Sequence, residues 1–363
     1  MLLNRKDLNT LTNLTDFITW LTCHDFRKEE APGISRVAVY KNIKRLENKF
    51  FAHHIRDLRI FELVLLVAKI TDKNIVRKVM DYILTKKARK GLDFLPANSF
   101  ISSVIMLMSG RAVVSYYIPA DFIQDILTEI LYGDVYKEAK IGKPIPVFNC
   151  CKYGDLDCNK RNYYNVLNSP SIEKSHLLDF VIMSVLDNNP FSRLRDIANI
   201  SNILESRFID DIMVSLGEDK SFLRRKLRYR FILKRYQVLS AHKVVGRVML
   251  PINRYFDHVS FFLQLPRVCA PVVYGILASY LSSPRMILTE GEVIASGLIP
   301  KKALEVVMDE LNECRDVNLD IPTKGWVYPL PFEYYDPFKE EWVPEPVDIY
   351  RVFRKMGLLE RRF

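Results

Sequence analysis

Glycine scarcity is the feature that most constrains the fold of this chain, because only 13 of its 363 residues are glycine. Tight β-hairpin turns often require backbone angles that glycine adopts most easily. A sheet built on many such turns is therefore not expected, and neither is a glycine-rich loop that cradles phosphate. Hydrophobic residues make up 49% of the chain, which is enough to bury a core in two domains or in one repeat array.

Apolar residues recur at spacings of three and four along most of the chain, which predicts α-helices. The letters Thr289-Glu290-Gly291-Glu292 also fit a capping box for a short helix. The sequence thus predicts a mostly α fold, and the pairing of neighbouring helices is compatible with an α-solenoid. The predicted helices cover residues 7–23, 36–54, 56–70, 72–89, 98–113, 119–139, 171–187, 190–204, 207–216, 219–240, 253–265, 270–283 and 300–314.

Composition divides the chain into four regions. Residues 1–139 form a predicted N-terminal helical block, and residues 140–170, rich in Pro, Gly and Asn, form an irregular insert or linker. Residues 171–314 form a predicted C-terminal helical block that contains a basic helix. Within residues 315–363, the stretch 321–346 is dense in proline and aromatic residues, which disfavours both helix and central strand. We predict an extended arm there, lying on other protein subunits or on the chain's own core, followed by a short terminal helix.

The cysteines resemble free, reduced thiols more than a secreted disulfide framework. Only Cys150, Cys151 and Cys158 lie close together, and adjacent cysteines do not provide the paired spacing that zinc prefers. A zinc site completed by a residue such as His176 remains the alternative, and we predict no metal. The other three cysteines, in apolar or amphipathic contexts, are Cys23, Cys269 and Cys314.

No motif typical of a catalytic centre occurs in the sequence. A phosphate loop, a dinucleotide fingerprint, a nucleophile elbow and a zinc-protease motif are all missing. The adjacent carboxylates Asp210-Asp211 and Glu340-Glu341 would point apart on a helix. We therefore predict a protein that is not an enzyme and that uses no cofactor.

Hydropathy and the N-terminal residues bear on location. No apolar run reaches the roughly 18 residues that a membrane-spanning helix needs. The first residues lack the apolar region of a secretory signal. We expect no membrane span and an intracellular, reducing location, with a mitochondrion or another organelle preferred.

Charge is concentrated in residues 221–256, which contain ten Lys and Arg and no Asp or Glu. The whole chain carries a formal charge of +10, so this segment equals the entire excess. An acid-free segment of this kind indicates an anionic partner, of which nucleic acid is the commonest. The alternatives are neutralisation by acidic segments of the same chain, such as residues 205–211 or 336–341, and an anionic lipid surface.

The periodicity of the basic helix separates a buried face from a cationic one. Leu223, Leu227, Phe231 and Val238 form the predicted buried stripe. Guanidinium groups pair with phosphates and stack on bases, and tyrosines stack on unpaired bases, so the other faces suit single-stranded RNA. The predicted RNA-binding residues are Arg224, Arg225, Arg228, Tyr229, Arg230, Lys234, Arg235, Tyr236, Lys243 and Arg247.

Two segments have the texture of known RNA-binding repeats. Both segments are similar to the first helix of repeats in organellar helical-repeat RNA-binding proteins, the octatricopeptide-like and RAP-type families. The segments are Leu194-Arg195-Asp196-Ile197-Ala198-Asn199-Ile200-Ser201-Asn202-Ile203-Leu204 and Leu95-Pro96-Ala97-Asn98-Ser99-Phe100-Ile101-Ser102-Ser103-Val104-Ile105. The similarity covers residues 55–215, and residues 315–363 do not match a RAP-like terminal domain. The resemblance implies binding of organellar RNA or a place in an organellar ribosome.

These observations together predict a non-catalytic RNA-binding component of a ribonucleoprotein, preferably an organellar ribosome or RNA-processing particle. Two alternatives stay open. The chain could be a viral nucleoprotein or inner-shell protein that coats genomic RNA and self-assembles, or a protein scaffold without RNA. A coat protein would form rings or filaments with random RNA, and a scaffold would show no salt-sensitive RNA binding.

Overall fold

The structure, a computed structural model, has a nine-stranded antiparallel sheet as its largest element. The described residues are 50–56, 61–85, 89–132, 134–147, 154–168, 229–241, 245–251, 258–280, 285–328 and 334–336, with short pieces at 151, 179, 182–183, 194–198, 339 and 341–345. The predicted helices over residues 7–23 and 207–216 lie outside them, as do residues 36–49 of the helix predicted over 36–54. Residues 50–54 of that predicted helix are in a β-strand, so the prediction is wrong there.

The strands and helices are numbered in chain order over these residues. The strands are β1 (Phe50–Arg56), β2 (Leu63–Ile70), β3 (Ile101–Leu107), β4 (Ala112–Pro119), β5 (Glu138–Pro144), β6 (Val245–Pro251), β7 (His258–Pro266), β8 (Arg285–Leu288), β9 (Glu292–Pro300), β10 (Asn318–Asp320), β11 (Pro322–Val327), β12 (Tyr335–Asp336) and β13 (Glu341–Trp342). The α-helices are α1 (Lys73–Thr85), α2 (Ile123–Tyr132), α3 (Leu156–Leu167), α4 (Leu194–Ile197), α5 (Tyr229–Ala241), α6 (Ala270–Ser279) and α7 (Leu304–Asn312).

The prediction of a mostly α fold with solenoid-like helix pairs is wrong. Strands β2, β3 and β7 lie where helices were predicted, over residues 56–70, 98–113 and 253–265. These strands are central in the sheet and buried on both faces, so their apolar residues form continuous runs without the alternation typical of a half-exposed strand. Periodicity alone does not separate such a run from a buried helix.

The capping-box prediction at residues 289–292 is also wrong, because these residues form the turn between β8 and β9. The Thr289 hydroxyl donates to the Glu292 carbonyl at 2.9 Å and accepts from the Glu292 N–H at 3.0 Å. The same local hydrogen bonding that caps a helix thus closes a hairpin here.

Eight of the nine strands form two halves with the same topology, and β11 adds a ninth strand beside β3. The strand order of the sheet is β10-β7-β9-β8-β5-β2-β4-β3-β11. The first half runs β2-α1-β3-β4-α2-β5 along the chain, and its four strands lie side by side in the sheet in the order fourth, first, third, second. In the second half, β7-α6-β8-β9-α7-β10 repeats that order. Each half is therefore a βαββαβ unit of the ferredoxin-like kind, and the chain contains two in tandem.

A sequence signal for this repeat exists, and the helical interpretation of the chain missed it. The third strand of each unit ends in Ile-Pro, at Pro119 and at Pro300, and a short 3-10 turn then leads into α2 or α7. Proline suits this position because it needs no amide hydrogen and its φ is preset for the turn. The helices predicted over 72–89, 119–139, 219–240, 270–283 and 300–314 overlap α1, α2, α5, α6 and α7, and only α5 extends past its predicted end, by one residue.

The helices of both units pack on one face of the sheet. Leu66 and Ala68 of β2 face α1 and α2, and Leu263 and Leu265 of β7 face the layer of α6 and α7. The residues between them point to the opposite face, where a third apolar cluster draws on both units. Its buried members are Leu65, Val67, Leu107, Val113, Phe262, Ile287 and Ile294.

This opposite face is the inside of a strong curl. Strands β10 and β11 are the two outermost strands of the sheet, yet only Ile321 separates them in the chain. The edges must therefore meet at one end, and the Met108 N–H donates to the Ile321 carbonyl at 2.8 Å across the closure. Leu107 and Phe262, from strands next to opposite edges, share the inner apolar cluster. The sheet is a half-barrel with a packed interior.

The predicted arm over 321–346 contacts the rest of its own chain at several described points, and Tyr328, Tyr335 and Trp342 are its buried residues. Residues 322–327 form β11 on the edge of the sheet, and Tyr328 donates a 2.6 Å hydrogen bond to the hydroxyl of Tyr82 on α1. Farther along, the Trp342 indole donates to the Phe61 carbonyl at 2.7 Å. The described part of the arm therefore lies on its own chain, and the protein partner expected for it stays a prediction.

The two units join through a short β5–β8 ladder, in which Lys143 and Pro144 pair with Leu288 and Ile287. Gly142 lies at this junction, and a Cβ on it would come within 2.6 Å of the Ile287 side chain and 2.7 Å of the Leu288 carbonyl oxygen. Backbone at that distance cannot yield without separating the strands. Gly142 is therefore required for the close approach of the two units.

We expect Gly142→Ala to destabilise the protein by about 2 kcal/mol or more, the usual cost of overpacking. Urea unfolding followed by far-ultraviolet circular dichroism measures this change. Gly291→Ala is the matched control, because no atom lies within 4 Å of its added Cβ. Equal stability of the two variants would contradict the assigned junction.

Candidate nucleic-acid interface

Helix α5 is the described part of the predicted basic helix, and its buried face differs from the predicted one. Ile232 and Leu239 are fully buried, whereas Phe231, predicted inside, is 56% exposed. Ile232 and Leu239 are seven residues apart, as are Phe231 and Val238, so both pairs satisfy helical periodicity. Packing against the rest of the chain, which the sequence does not display, selects between them.

Arg235 does not belong to an open cationic surface. Its Nε and Nη2 donate to the two carboxylate oxygens of Asp179 at 2.5 and 2.6 Å. The Asp179 side chain is fully buried and that of Arg235 is 15% exposed. One of the predicted RNA-binding cations is therefore neutralised by its own chain, and Tyr236 beside it is half-buried.

Some of the predicted RNA-binding residues lie on the solvent-facing side of α5. Arg230 and Lys234 are exposed and make no ion pair with another residue in the described ranges. Being four apart, they lie on the same side of the helix. Tyr229, 37% exposed, and Phe231 flank them. The guanidinium of exposed Arg195, on α4, lies 6.0 Å from the Tyr229 ring centre. We call these five residues the α5 surface.

The side chains of the remaining predicted RNA-binding residues are not described. Arg224, Arg225, Arg228 and Lys243 lie outside the described residues. Arg247 is in β6, where its backbone pairs with His54 of β1. The structure thus brings together Tyr229, Arg230 and Lys234 of the predicted set and adds Arg195 and Phe231.

The inner face of the sheet was not predicted as a site, and most of its area is closed. Ferredoxin-like RNA-binding domains stack bases on exposed aromatic residues of the face opposite their helices. Here Phe262 is buried, Tyr117 is half-buried, and aliphatic side chains fill the space between them. Arg285 donates to the Ser102 carbonyl at 3.2 Å and lies 6.0 Å from the Tyr117 ring centre. Base stacking on the open sheet is therefore excluded for the described strands.

One end of the inner face carries a closed network of polar side chains, which we call the polar ring. The Glu138 carboxylate meets Lys140 at 2.8 Å and Lys69 at 3.1 Å. Lys69 donates to Gln264, Gln264 donates to Glu292 at 2.7 Å, and Lys140 is paired with Glu292. Residues of both βαββαβ units are thus linked across the barrel end.

Hydrogen bonds in the polar ring shift its pKa values. The hydrogen bond from Lys140 is the main cause that lowers the pKa of Glu138. Burial acts to raise the pKa of Glu292, but hydrogen bonds from Lys140 and Gln264 outweigh it and lower the pKa. Burial acts to lower the pKa of Lys140, but its bonds to Glu138 and Glu292 outweigh it and raise the pKa.

These directions set a pH dependence of stability. Carboxylates with lowered folded-state pKa values stabilise the fold above their unfolded pKa, and this contribution is lost as pH falls through the folded pKa. We expect the free energy of unfolding to decrease from about pH 6 to about pH 3, and less steeply in Glu138→Gln/Glu292→Gln. Urea titrations across this range measure it. Both groups are partly exposed, so high salt should flatten the difference. Identical pH profiles for the two proteins would contradict the assignment.

Beside the polar ring is a cavity of about 310 Å³ that the sequence did not indicate. In the part of the chain that the structure describes, its lining consists of three cations, one hydroxyl and one carboxylate. We call it the barrel-end pocket. The residues are Lys69, Thr71, Arg111, Lys137 and Glu138. They are scattered along the chain, and the ends of three neighbouring strands bring them together.

The cysteines are not all free thiols, contrary to the prediction. Cys151 is bonded to Cys158 and Cys269 to Cys314. The bond from Cys151 to Cys158 removes two of the three thiols of the possible zinc cluster, and Cys150 and His176 lie outside the described residues. Among the residues that are described, no group of three or more His, Cys, Asp or Glu side chains is placed to hold a metal.

Comparisons with known proteins add no identity. No family model matches the chain, and no curated protein matches it.

The expectation of no membrane-spanning helix is supported over the described ranges, because none of their helices is both long and apolar enough to cross a bilayer.

Proposed function

We propose that this protein binds single-stranded RNA through the α5 surface and acts as a non-catalytic component of a ribonucleoprotein. The observation that carries the proposal is the pairing of exposed aromatics with exposed cations on α5. Phe231 is 56% exposed although burying an aromatic ring is favourable. An exposed ring beside Arg230 and Lys234 suits a base whose phosphate the cations hold.

The surrounding charge supports the same partner. The described helix lies in a 36-residue segment, 221–256, that has no Asp or Glu. The segment therefore contributes no carboxylate that would repel an RNA backbone. Of its described cations, Arg235 is neutralised by Asp179. Arg195 adds a cation beside Tyr229, which can hold that ring in place for stacking. The organellar ribosome or RNA-processing particle implied by the sequence resemblance is the preferred setting. However, residues 101–105 of one resembling segment form a strand.

The test is the affinity for an unstructured oligonucleotide of about 16 nucleotides, measured by fluorescence anisotropy across a salt series. Phe231→Ala should weaken binding roughly fivefold to a hundredfold, since stacking contributes about 1–3 kcal/mol per base. Arg230→Gln/Lys234→Gln should weaken binding and lower the salt slope by about 0.7 for each phosphate that is no longer neutralised. Neither change should alter the circular dichroism spectrum, because the side chains are exposed.

Tyr164→Ala is the matched control for the aromatic change, because Tyr164 of α3 is 55% exposed and lies outside the α5 surface. Affinity that is equal in the Phe231 and Tyr164 variants would refute the proposed surface. Gradient sedimentation with and without ribonuclease separates the alternatives. Rings or filaments with random RNA would indicate a coat protein, and no RNA binding would indicate a scaffold.

A further inference from the structure

The barrel-end pocket is built on rigid backbone. Lys69 lies near the end of β2, and Arg111 and Lys137 directly precede β4 and β5. These three strands are neighbours in the order β5-β2-β4, so their ends are about 5 Å apart. The Lys137 N–H donates to the Lys69 carbonyl at 3.0 Å, which fixes two of the three ends. Three cations are therefore collected at one opening without depending on a flexible loop.

The positive charge of the pocket is only partly compensated. Glu138 is the one carboxylate among the described lining residues, and it already contacts Lys69 and Lys140 of the polar ring. Asp72, next to Thr71, accepts from the N–H groups of Asn74 and Ile75 at 2.9 and 3.0 Å, so it caps α1. Arg111 and Lys137 are exposed and form no ion pair with any described residue. The described residues of the lining therefore have an excess of two positive charges.

The chemistry of these groups selects the ligand. A phosphate monoester carries a charge of about −1.5 to −2 at neutral pH and offers three oxygens as acceptors. The arginine fork binds two of them, a lysine provides a mobile point charge, and a threonine hydroxyl donates to a third. A carboxylate carries a single charge and would leave one cation unmatched. The volume of about 310 Å³ is at the lower end for small-ligand sites, so it admits a phosphate with an attached sugar.

We propose that the barrel-end pocket binds a phosphate monoester of nucleotide size, with Arg111, Lys137 and Thr71 contacting the phosphate oxygens. Lys69 holds Glu138 away from the phosphate by keeping it in the polar ring. The pocket is a second site, separate from the α5 surface, and its support is independent of RNA binding. The phosphate belongs either to a free nucleotide or to the end of a nucleic-acid strand, and the ligand series below distinguishes these sources.

Isothermal titration calorimetry of the full chain with adenosine 5′-monophosphate and adenosine provides the test. The monophosphate should bind and adenosine should not. Arg111→Gln/Lys137→Gln should weaken monophosphate binding at least about tenfold, because it removes charge-assisted hydrogen bonds. Lys143→Gln/Lys324→Gln makes the same change in net charge at exposed positions outside the pocket lining, and it should bind within about twofold of the unmodified protein.

A trinucleotide with a 5′-phosphate or a 5′-hydroxyl identifies the source of the phosphate. Tighter binding of the phosphorylated trinucleotide than of both the monophosphate and the 5′-hydroxyl trinucleotide supports a strand end. Binding of the phosphorylated trinucleotide no tighter than that of the monophosphate supports a free nucleotide. The proposal is overturned if neither the monophosphate nor inorganic phosphate binds, if adenosine binds equally well, or if the pocket variant matches its charge control. Phe231→Ala should leave monophosphate affinity unchanged, so a failure of the α5 surface would not be mistaken for a failure of this pocket.

Discussion

Arg235→Ala is expected to destabilise the protein by about 4 kcal/mol, the usual cost of removing one partner from a buried ion pair. Asp179 has no exposed area, and both of its oxygens accept from the Arg235 guanidinium. Removing that cation leaves the carboxylate in a place that water reaches poorly. Urea unfolding of the variant at neutral pH measures the loss of stability.

Lys234→Ala is the matched control for this prediction, because it removes an adjacent cation of α5 that is exposed. Its stability should stay within about 0.5 kcal/mol of the unmodified protein, as at most surface positions. Arg235→Met/Asp179→Leu should recover much of the stability, since replacing both partners leaves no buried charge. If the Arg235 and Lys234 variants are equally stable, the ion pair does not form, and Arg235 returns to the set of candidate RNA-binding residues.

Cys269→Ala/Cys314→Ala is expected to cost a similar amount, about 4 kcal/mol, because the bond closes a long loop. The two cysteines are 45 residues apart, and they tie the turn before α6 to the segment after α7. Cross-linking lowers the entropy of the unfolded chain, and this effect grows with loop length. Cys151→Ala/Cys158→Ala, with a separation of 7 residues, should cost less, about 2.5 kcal/mol.

Reducing conditions provide the control for the disulfide prediction. With reductant present, the unmodified protein and the Cys269/Cys314 variant should unfold at nearly the same urea concentration, since neither has the bond. Titration of thiols in denaturant without reductant should find at most two free thiols, because four of the six cysteines are bonded. Six reactive thiols would show that both bonds are absent from the purified protein.

Several helices could be predicted because their signals are local. Pro119 and Pro300 open the turns before α2 and α7, and Asp72 caps α1 through the N–H groups of Asn74 and Ile75. Such signals depend on residues within one or two turns of each other. The strands offered no comparable signal. Leu63 to Ile70 is apolar throughout because both faces of β2 are covered, so its period of two is hidden.

The candidate site was predictable only in part, for a related reason. The charge of residues 221–256 and the exposure of Arg230 and Lys234 agree with the periodic helix that was predicted. The pairing of Arg235 with Asp179 was not foreseeable, because the two residues are 56 positions apart. The barrel-end pocket was equally hidden, since Lys69, Arg111 and Lys137 become neighbours only through the pairing of β2 with β4 and β5.

The sequence by itself determined where α1, α2, α5, α6 and α7 lie and where the excess positive charge is concentrated, because capping, periodicity and composition act over short distances. Only the tertiary structure decided that two βαββαβ units share one curled sheet and which cysteines are bonded. It alone also decided which cations stay exposed. Each of these outcomes depends on burial and register between segments far apart in the chain. No single segment sets the free energy of such pairing, because that free energy depends on both partners.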